Sequence, residues 1–258
     1  MDTMLKKKST FVSGRMIWQC FLFATGLSMQ CANVEAGEWG LGMTGVWYQP
    51  PMIAASSEST LLPYIYYEGE RLSVDFQQIS YTLVADANIE LTVLGRLRLQ
   101  GYNPDNNIAL AGMKKRKPSF DAGFSATLSK DWGTLGMVAV TDVGNVHNGQ
   151  EVDLYVSFFV PRKRWLFEPV LGVSWLSQDL VDYYYGVFEF EARPGRPQYQ
   201  GHSGFNFFTE LSLTYSLTNH WFAFGGANYT FLGSNIQDSP IVEHKHELTS
   251  YLGLLYVF

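Results

Sequence analysis

Two groups of residues have the types and spacing that catalysis or metal binding needs. His202 and Ser203 are an adjacent base and nucleophile, but neighbouring residues on an extended segment point to opposite sides, and no specific orienting acid accompanies them. His244 and His246 could share one face of a strand and bind a metal ion. Glu243 and Glu247 flank the pair, and a solvated loop leading into the last strand is the preferred interpretation. The sequence therefore predicts no catalytic residue, no cofactor and no metal site.

Composition narrows the class of protein further. Only 16% of the 258 residues are charged, against about 25% in soluble globular domains, whereas 47% are apolar and 16% are aromatic. The mean hydropathy is nevertheless −0.04, so apolar residues must be interleaved with uncharged polar ones. This composition excludes a helical polytopic membrane protein and an intrinsically disordered chain. The net charge of −6 argues against nucleic-acid binding.

The first 36 residues have the organisation of a secretory signal peptide. A basic start precedes an apolar run over 16–29, and the small side chains of Val34 and Ala36 suit cleavage after Ala36. An uncleaved anchor is the alternative, but polar residues leave the run too short to span ~30 Å of hydrocarbon. Cleavage would remove both cysteines, so the mature segment 37–258 could use neither disulfides nor thiol chemistry.

From residue 38 onward, apolar and polar residues alternate with a period of two, which is typical of strands that separate two environments. Phe120, Phe124 and Leu128 fall on one face of their segment, and Asp121 falls on the other. The polar faces carry the charged side chains that a carboxylate enzyme would need, namely Glu90, Arg96, Arg98, Asp121, Glu151, Asp153 and Glu210. Mutual pairing of these charges is a simpler interpretation than acid–base catalysis.

Three features favour a membrane barrel over a soluble sandwich or a lipocalin-like barrel. Many segments run for about 10 to 13 residues, close to the ~9–11 that a tilted strand needs to cross a bilayer. Aromatic residues such as Trp39 and Trp165 collect at segment ends, where an interfacial girdle would place them. Leu254, Tyr256 and Phe258 share one face of the last segment. That ending resembles the terminal aromatic signal by which outer-membrane barrels are recognised for assembly.

The number of strands follows from parity. The candidate segments lie near 38–48, 60–68, 71–80, 89–101, 119–129, 133–142, 150–160, 165–175, 204–216, 220–231 and 247–258. Bacterial single-chain barrels have an even number of strands. Counting strands forward from a periplasmic N-terminus and backward from a periplasmic Phe258 gives assignments that disagree between residues 71 and 88. Splitting that stretch into short strands at 71–76 and 79–84 gives twelve, whereas demoting the first segment gives ten. The prediction is a single antiparallel transmembrane β-barrel of about twelve strands, with ten as the alternative.

The connections alternate between long and short, as they do in outer-membrane barrels. The predicted outer loops include 102–118, 176–203 and 232–246, and the basic cluster from Lys114 to Lys117 could meet anionic lipopolysaccharide. A barrel of this size is narrower than a general porin, and inward aromatic side chains would narrow it further. We therefore predict weak or no general porin activity.

Several local sequences carry a family resemblance. The motifs are Tyr183-Tyr184-Tyr185-Gly186-Val187, Glu191-Ala192-Arg193-Pro194, Asp238-Ser239-Pro240-Ile241-Val242 and the ending Tyr256-Val257-Phe258, with Asp142, Gly144, His147 and Gly149 in mid-chain. On these residues the sequence resembles the MltA-interacting protein family, also called MipA/OmpV, over nearly all of the mature chain. The first outer loop departs from the family pattern, because Pro50-Pro51-Met52-Ile53 stands where a Tyr-x-Gly segment is usual.

The resemblance implies a barrel in the outer membrane of a Gram-negative bacterium, in contact with its lipid and lipopolysaccharide. In some members it implies a non-enzymatic scaffold that joins a lytic transglycosylase to a peptidoglycan synthase, and in others an adhesin or antigen. From the residues alone, the tyrosine-rich and Asp-Ser-Pro motifs predict either loop architecture over the barrel mouth or a binding surface. A narrow channel for small polar solutes and a surface adhesin are the alternative functions.

Overall fold

The alternating segments close into one antiparallel β-barrel in the computed structural model, which describes residues 37–258. The predicted signal peptide and its cleavage at Ala36 lie outside the described residues. The strands are β1 (Glu38–Gln49), β2 (Glu58–Glu68), β3 (Leu72–Val74), β4 (Gln78–Ala85), β5 (Ile89–Arg98), β6 (Ser119–Lys130), β7 (Gly133–Asp142), β8 (Gln150–Ser157), β9 (Val160–Arg162), β10 (Trp165–Leu176), β11 (Gly204–Ser216), β12 (Trp221–Phe231) and β13 (His246–Val257). Pairing of β13 with β1 closes the barrel.

The wall has twelve strand positions, because β8 and β9 share one. β8 pairs with the second half of β10, and β9 pairs with its first three residues, so β9 continues β8 after an interruption at 158–159. The twelve-strand prediction is confirmed and the ten-strand alternative is wrong. The predicted split at 71–76 and 79–84 corresponds to β3 and β4, which form a short hairpin.

The short β3 leaves the wall incomplete beside β2. β2 pairs with β1 along its length but with β3 only at Tyr67 and Glu68. The N–H of Gly69 donates to the carbonyl of Leu72 at 2.8 Å, so the odd-numbered residues of β2 direct their backbone groups toward β3. Pro63 is one of them and has no N–H to donate on that side. Proline in a sheet is found mainly at edges, and most of β2 is an edge among the described strands, since only its last two residues pair with β3.

The two faces of the wall have opposite character. On β11, Phe207 and Leu211 are exposed to the outside, whereas Asn206, Glu210 and Ser212 are buried inside. Outward apolar side chains on every long strand form the band that faces lipid, which confirms the predicted transmembrane barrel. No helix within residues 37–258 is long and apolar enough to cross a membrane.

All the long loops lie at one end of the barrel, which we call the mouth, and the short turns lie at the other end, the base, except the turn at 75–77 between β3 and β4, which points toward the mouth. The mouth loops contain helices α1 (Gln178–Tyr185) and α2 (Ser234–Gln237) and three single 3₁₀ turns. They share a buried apolar cluster, the mouth core, made of Met52, Leu110, Met113, Leu176, Leu180, Val181, Tyr184, Tyr185, Val187, Leu232, Ile236 and Ile241. The sequence predicted loops here, but not the helices or this core.

Closure of the barrel at the base supports a prediction about Phe258. Its N–H donates to the carbonyl of Trp39 at 2.9 Å, next to the last β13–β1 pair, and its ring is exposed at the membrane interface. We expect Phe258→Ala to lower severalfold the amount of heat-modifiable, folded barrel in outer-membrane fractions. Phe207→Ala removes a similarly exposed ring near the mouth end of the wall and is the matched control. Equal yields of the two variants would contradict a role of Phe258 in assembly.

Candidate functional site

Helix α1 places the tyrosine-rich motif inside the mouth. It begins after Ser177 and ends before Gly186, and its buried face carries Tyr184 and Tyr185. The Tyr185 hydroxyl accepts a hydrogen bond from Gln100 Nε2 at 2.8 Å and donates one to Glu247 Oε1 at 2.8 Å. Gln100 follows β5 and Glu247 lies on β13, five positions away around the wall. A single side chain therefore bridges two distant parts of the rim.

The two family-like loop motifs contact each other. Ser239 Oγ donates to the backbone carbonyl of Tyr185 at 2.6 Å, and both Val187 and Ile241 are fully buried in the mouth core. Pro240 is half-buried, whereas Asp238 is exposed. The first loop also joins this assembly, because the N–H of Ile53 donates to the carbonyl of Ile241 at 2.8 Å. Residues 50–53, where the sequence departs from the family pattern, therefore form part of the loop assembly that closes the mouth.

Arg116 and Glu191 form a buried bidentate ion pair in the mouth loops. Arg116 Nη2 lies 2.8 Å from Glu191 Oε2, and Nη1 lies 3.0 Å from Oε1. The Glu191 carboxylate also accepts the N–H groups of Lys114 and Phe188. Burial alone would raise the pKa of Glu191, but these hydrogen bonds outweigh it and lower that pKa. Arg116 is therefore not part of the basic surface predicted at 114–117; only the lysines there are exposed.

A second ion network crosses the lumen below the mouth. Arg98 Nη2 lies 2.6 Å from Asp121 Oδ2 and 2.6 Å from Glu151 Oε2, and Arg96 Nη2 lies 3.1 Å from Glu151 Oε1. These residues sit on β5, β6 and β8, so the network links non-adjacent strands. The predicted mutual pairing of inward charges is confirmed for these residues. It is wrong for Glu210, which forms no ion pair among the described residues.

Asp121, Asp142 and His147 are close enough to hold a metal ion, with one potential ligand atom of each lying within 4.8 Å of the others. Asp142 already accepts four backbone N–H groups of the 144–148 loop, at 2.5 to 2.9 Å. His147 Nδ1 accepts from the N–H of Gly149 at 3.0 Å, so the neutral ring carries its proton on Nε2, 3.3 Å from Asp121. Asp142 and His147 are thus occupied in holding the loop, and Asp121 is engaged by Arg98. The mid-chain motif thus has an architectural role.

The remaining chemical candidates lie apart from this assembly. His202 and Ser203 are exposed loop residues, and the carbonyl of His202 accepts a hydrogen bond from Asn235 at 3.3 Å. The rings of His244 and His246 are 6.1 Å apart, and His246 stacks on the ring of Tyr229. Neither pair contacts a carboxylate in an arrangement suited to nucleophilic catalysis or metal binding.

Comparison with known proteins shows to which family this barrel belongs. Residues 41–258 match the family described as MltA-interacting protein MipA. The chain is 26% identical over 230 residues to the putative outer membrane protein YiaT of Escherichia coli (strain K12), covering 88% of this chain and 94% of that one. It is 27% identical over 201 residues to the MltA-interacting protein of the same strain, covering 76% and 81%.

A solved outer membrane channel from Pseudomonas putida F1 aligns with 88% of this chain and 97% of its own, with a TM-score of 0.45 and 13% identity. Family membership rests on the sequence match, which extends from β1 to the last residue and includes the tyrosine-rich, Asp-Ser-Pro and terminal motifs. With relatives named as outer membrane proteins and a lipid-facing twelve-strand wall, the chain belongs to the MltA-interacting protein (MipA/OmpV) family of outer-membrane β-barrels.

Proposed function

We propose that this barrel is a non-enzymatic interaction protein of the outer membrane and that it binds a peptidoglycan enzyme at its base. The observation that supports this function is the closure of the lumen. The mouth core and Tyr185 cover the outer end, and the Arg98 ion pairs with Asp121 and Glu151 cross the interior below it. Such a barrel suits anchoring and presentation of a surface better than passage of bulky solutes.

The kind of partner is suggested by a relative. One relative is named MltA-interacting protein, and we propose a lytic transglycosylase as partner here, with a peptidoglycan synthase as a second. Short turns of outer-membrane barrels face the periplasm, which is the side from which such enzymes would bind. The base carries an exposed basic turn between β9 and β10, formed by Arg162, Lys163 and Arg164. A basic turn on an acidic protein offers a localised site for an acidic partner surface.

Pull-down from envelope extracts tests this proposal. The base variant Arg162→Glu with Lys163→Glu should recover severalfold less lytic transglycosylase than the wild-type barrel, because the charge of the turn is reversed. The matched control is Lys115→Glu with Lys117→Glu, which makes the same change of charge in exposed residues at the mouth and should leave recovery unchanged. Failure of the wild-type barrel to recover any peptidoglycan enzyme would overturn the scaffold function.

A narrow channel for small polar solutes is the second candidate, and the charge of the lumen supports it. Buried acids on the inner face outnumber the two bases, Arg96 and Arg98, the acids being Glu90, Asp121, Glu151, Asp153, Glu168, Glu210 and Glu247. A lumen of this sign would favour small cations over anions. Planar-bilayer recordings distinguish the candidates, since large and stable conductance by the wild-type barrel would favour the channel. An adhesin would instead use exposed apolar residues of the mouth, such as Ile108 and Phe190.

A further inference from the structure

The base half of the lumen contains a group of acidic and hydroxyl side chains on two neighbouring strands. Glu168 of β10 lies directly opposite Ser212 of β11, and Glu210 and Thr214 are the next inward residues of β11 on either side of Ser212. Residues that are diagonal across an antiparallel pair lie about 7–8 Å apart, within reach of long side chains. All four side chains therefore line one patch of the inner wall, which we call the acidic patch.

The acidic patch is buried but its polar atoms are not satisfied by the protein. Glu210 is 2% exposed and Ser212 is 0% exposed. Among residues 37–258, no hydrogen bond of good geometry is found for either carboxylate oxygen of Glu210, for Glu168 Oε2, for Ser212 Oγ or for Thr214 Oγ1. The polar neighbours of these groups are Asn228 and Tyr251 beside Glu210, and Ser212 beside Glu168. Buried polar groups are nearly always hydrogen-bonded, and buried charges are paired or bound to an ion. The orphaned oxygens converge from two strands and point to a ligand that the protein does not itself supply.

Two other inward carboxylates, Asp121 and Glu151, are compensated by arginines of the same protein. Asp121 and Glu151 share Arg98 at 2.6 Å each, and Glu151 also contacts Arg96 at 3.1 Å. Both arginines are therefore committed to the network near the mouth. No salt bridge to Glu168 or Glu210 is formed by any lysine, arginine or histidine in the described part of the chain. If the carboxylates of the acidic patch are ionised, their counterion comes from outside the polypeptide.

We propose that the acidic patch binds one divalent cation of the Ca²⁺ or Mg²⁺ type through oxygen ligands. The carboxylates of Glu168 and Glu210 would balance its two charges, and the hydroxyls of Ser212 and Thr214 would add neutral oxygens. Hard divalent cations take carboxylate, hydroxyl and water oxygens, whereas softer metals prefer nitrogen or sulfur ligands. None of the four residues offers nitrogen or sulfur in its side chain, so the donor set selects this class of ion.

The cation would exchange from the base of the barrel. Phe208 is the next inward residue of β11 toward the mouth, and its ring packs so closely over Gly172 that an added Cβ there would lie 2.1 Å from it. With Val170, Tyr155 and Val138, Phe208 forms an apolar cluster between the acidic patch and the arginine network. The mouth above is closed by Tyr185 and its partners, so the proposed site would exchange its ion with the periplasmic side, past inward apolar residues of the base such as Phe222 and Leu255.

Calorimetric titration of the purified, full-length barrel in detergent, after treatment with chelator, tests this site. The wild-type barrel should bind one equivalent of Ca²⁺ or Mg²⁺ saturably in a background of excess NaCl, and the bound ion should raise the midpoint of thermal unfolding. Glu168→Gln with Glu210→Gln should weaken binding at least tenfold and abolish the shift in midpoint. Ser212→Ala should weaken it by less, because one neutral ligand is lost.

Glu90→Gln is the matched control, since Glu90 is an inward carboxylate whose Oε1 already accepts hydrogen bonds from Thr82 and Thr92. It should bind the ion as the wild type does, and heat-modified mobility on gels verifies that each variant is folded. Three results would overturn the proposal: no saturable binding to the wild type at millimolar Ca²⁺ or Mg²⁺, equal binding by the Glu168→Gln, Glu210→Gln variant, or an infrared band of protonated carboxyl in the ion-loaded wild type that this variant lacks.

Discussion

Arg116→Met is expected to lower the free energy of unfolding by about 3–5 kcal/mol, because it leaves the buried carboxylate of Glu191 without its counterion. The lost contacts include the bidentate ion pair and hydrogen bonds to the carbonyls of Lys114 and Tyr183. The guanidinium also lies 4.9 Å from the ring centre of Phe188. Two mouth loops, the one between β5 and β6 and the one between β10 and β11, thus meet at one side chain, and its loss should loosen both of them.

Urea unfolding in detergent, followed by tryptophan fluorescence, measures this effect, and limited proteolysis reports whether the mouth loops open first. Lys115→Met is the matched control, because it removes an exposed positive charge from the adjacent position and should change stability by less than about 0.5 kcal/mol. Equal stability of Arg116→Met and Lys115→Met would show that the ion pair contributes nothing to closure of the mouth.

The same ion pair predicts that the free energy of unfolding depends on pH. The pKa of Glu191 is lowered in the folded protein, where the Arg116 and backbone hydrogen bonds overcome the effect of burial. Its contribution is therefore fully present above the unfolded value of about 4.3 and is lost as the pH falls through the lowered folded-state pKa. The stability difference between wild type and Arg116→Met should accordingly shrink in acid. A difference that grows with falling pH would contradict this assignment.

Arg98→Met is expected to have a comparable effect, about 3–5 kcal/mol, by a separate route. Arg98 is 2% exposed and contacts both Asp121 and Glu151 at 2.6 Å. Removing it leaves two buried carboxylates with only Arg96 between them. Because β5 and β8 are not neighbours in the wall, the variant should also lose a restraint across the lumen.

Charge compensation distinguishes this effect from a simple packing defect. Adding Glu151→Gln to Arg98→Met removes one uncompensated carboxylate with little change in volume, and should recover part of the lost stability in the same unfolding assay. Arg71→Met, at an exposed arginine of the base, serves as the control for loss of a single positive charge. If the double variant were less stable than Arg98→Met, the network would not be held together by charge balance.

Much of this fold could be predicted from local sequence. Alternation located the long strands to within a few residues, because side chains of a strand point to opposite faces regardless of what pairs with it. The disagreement between the forward and backward strand counts then located one irregular wall segment, which proved to be the short β3–β4 hairpin. Helix α1 was not predicted, since it is a single eight-residue helix in a tyrosine-rich loop. Its stability comes from the mouth core, whose members are scattered from Met52 to Ile241.

The sequence by itself determined which residues face lipid and which face the lumen, since that choice depends only on a period of two along each strand. The tertiary structure decided which inward residues meet. Arg116 and Glu191 are 75 positions apart, and Arg98 and Glu151 are 53 apart, so their contact depends on strand stagger and loop folding around a closed wall. The same stagger brings both arginines to the mouth half of the lumen and leaves Glu168 and Glu210 without a base. The alternating pattern determines the face to which each side chain points, but only closure of the barrel determines which side chains contact each other.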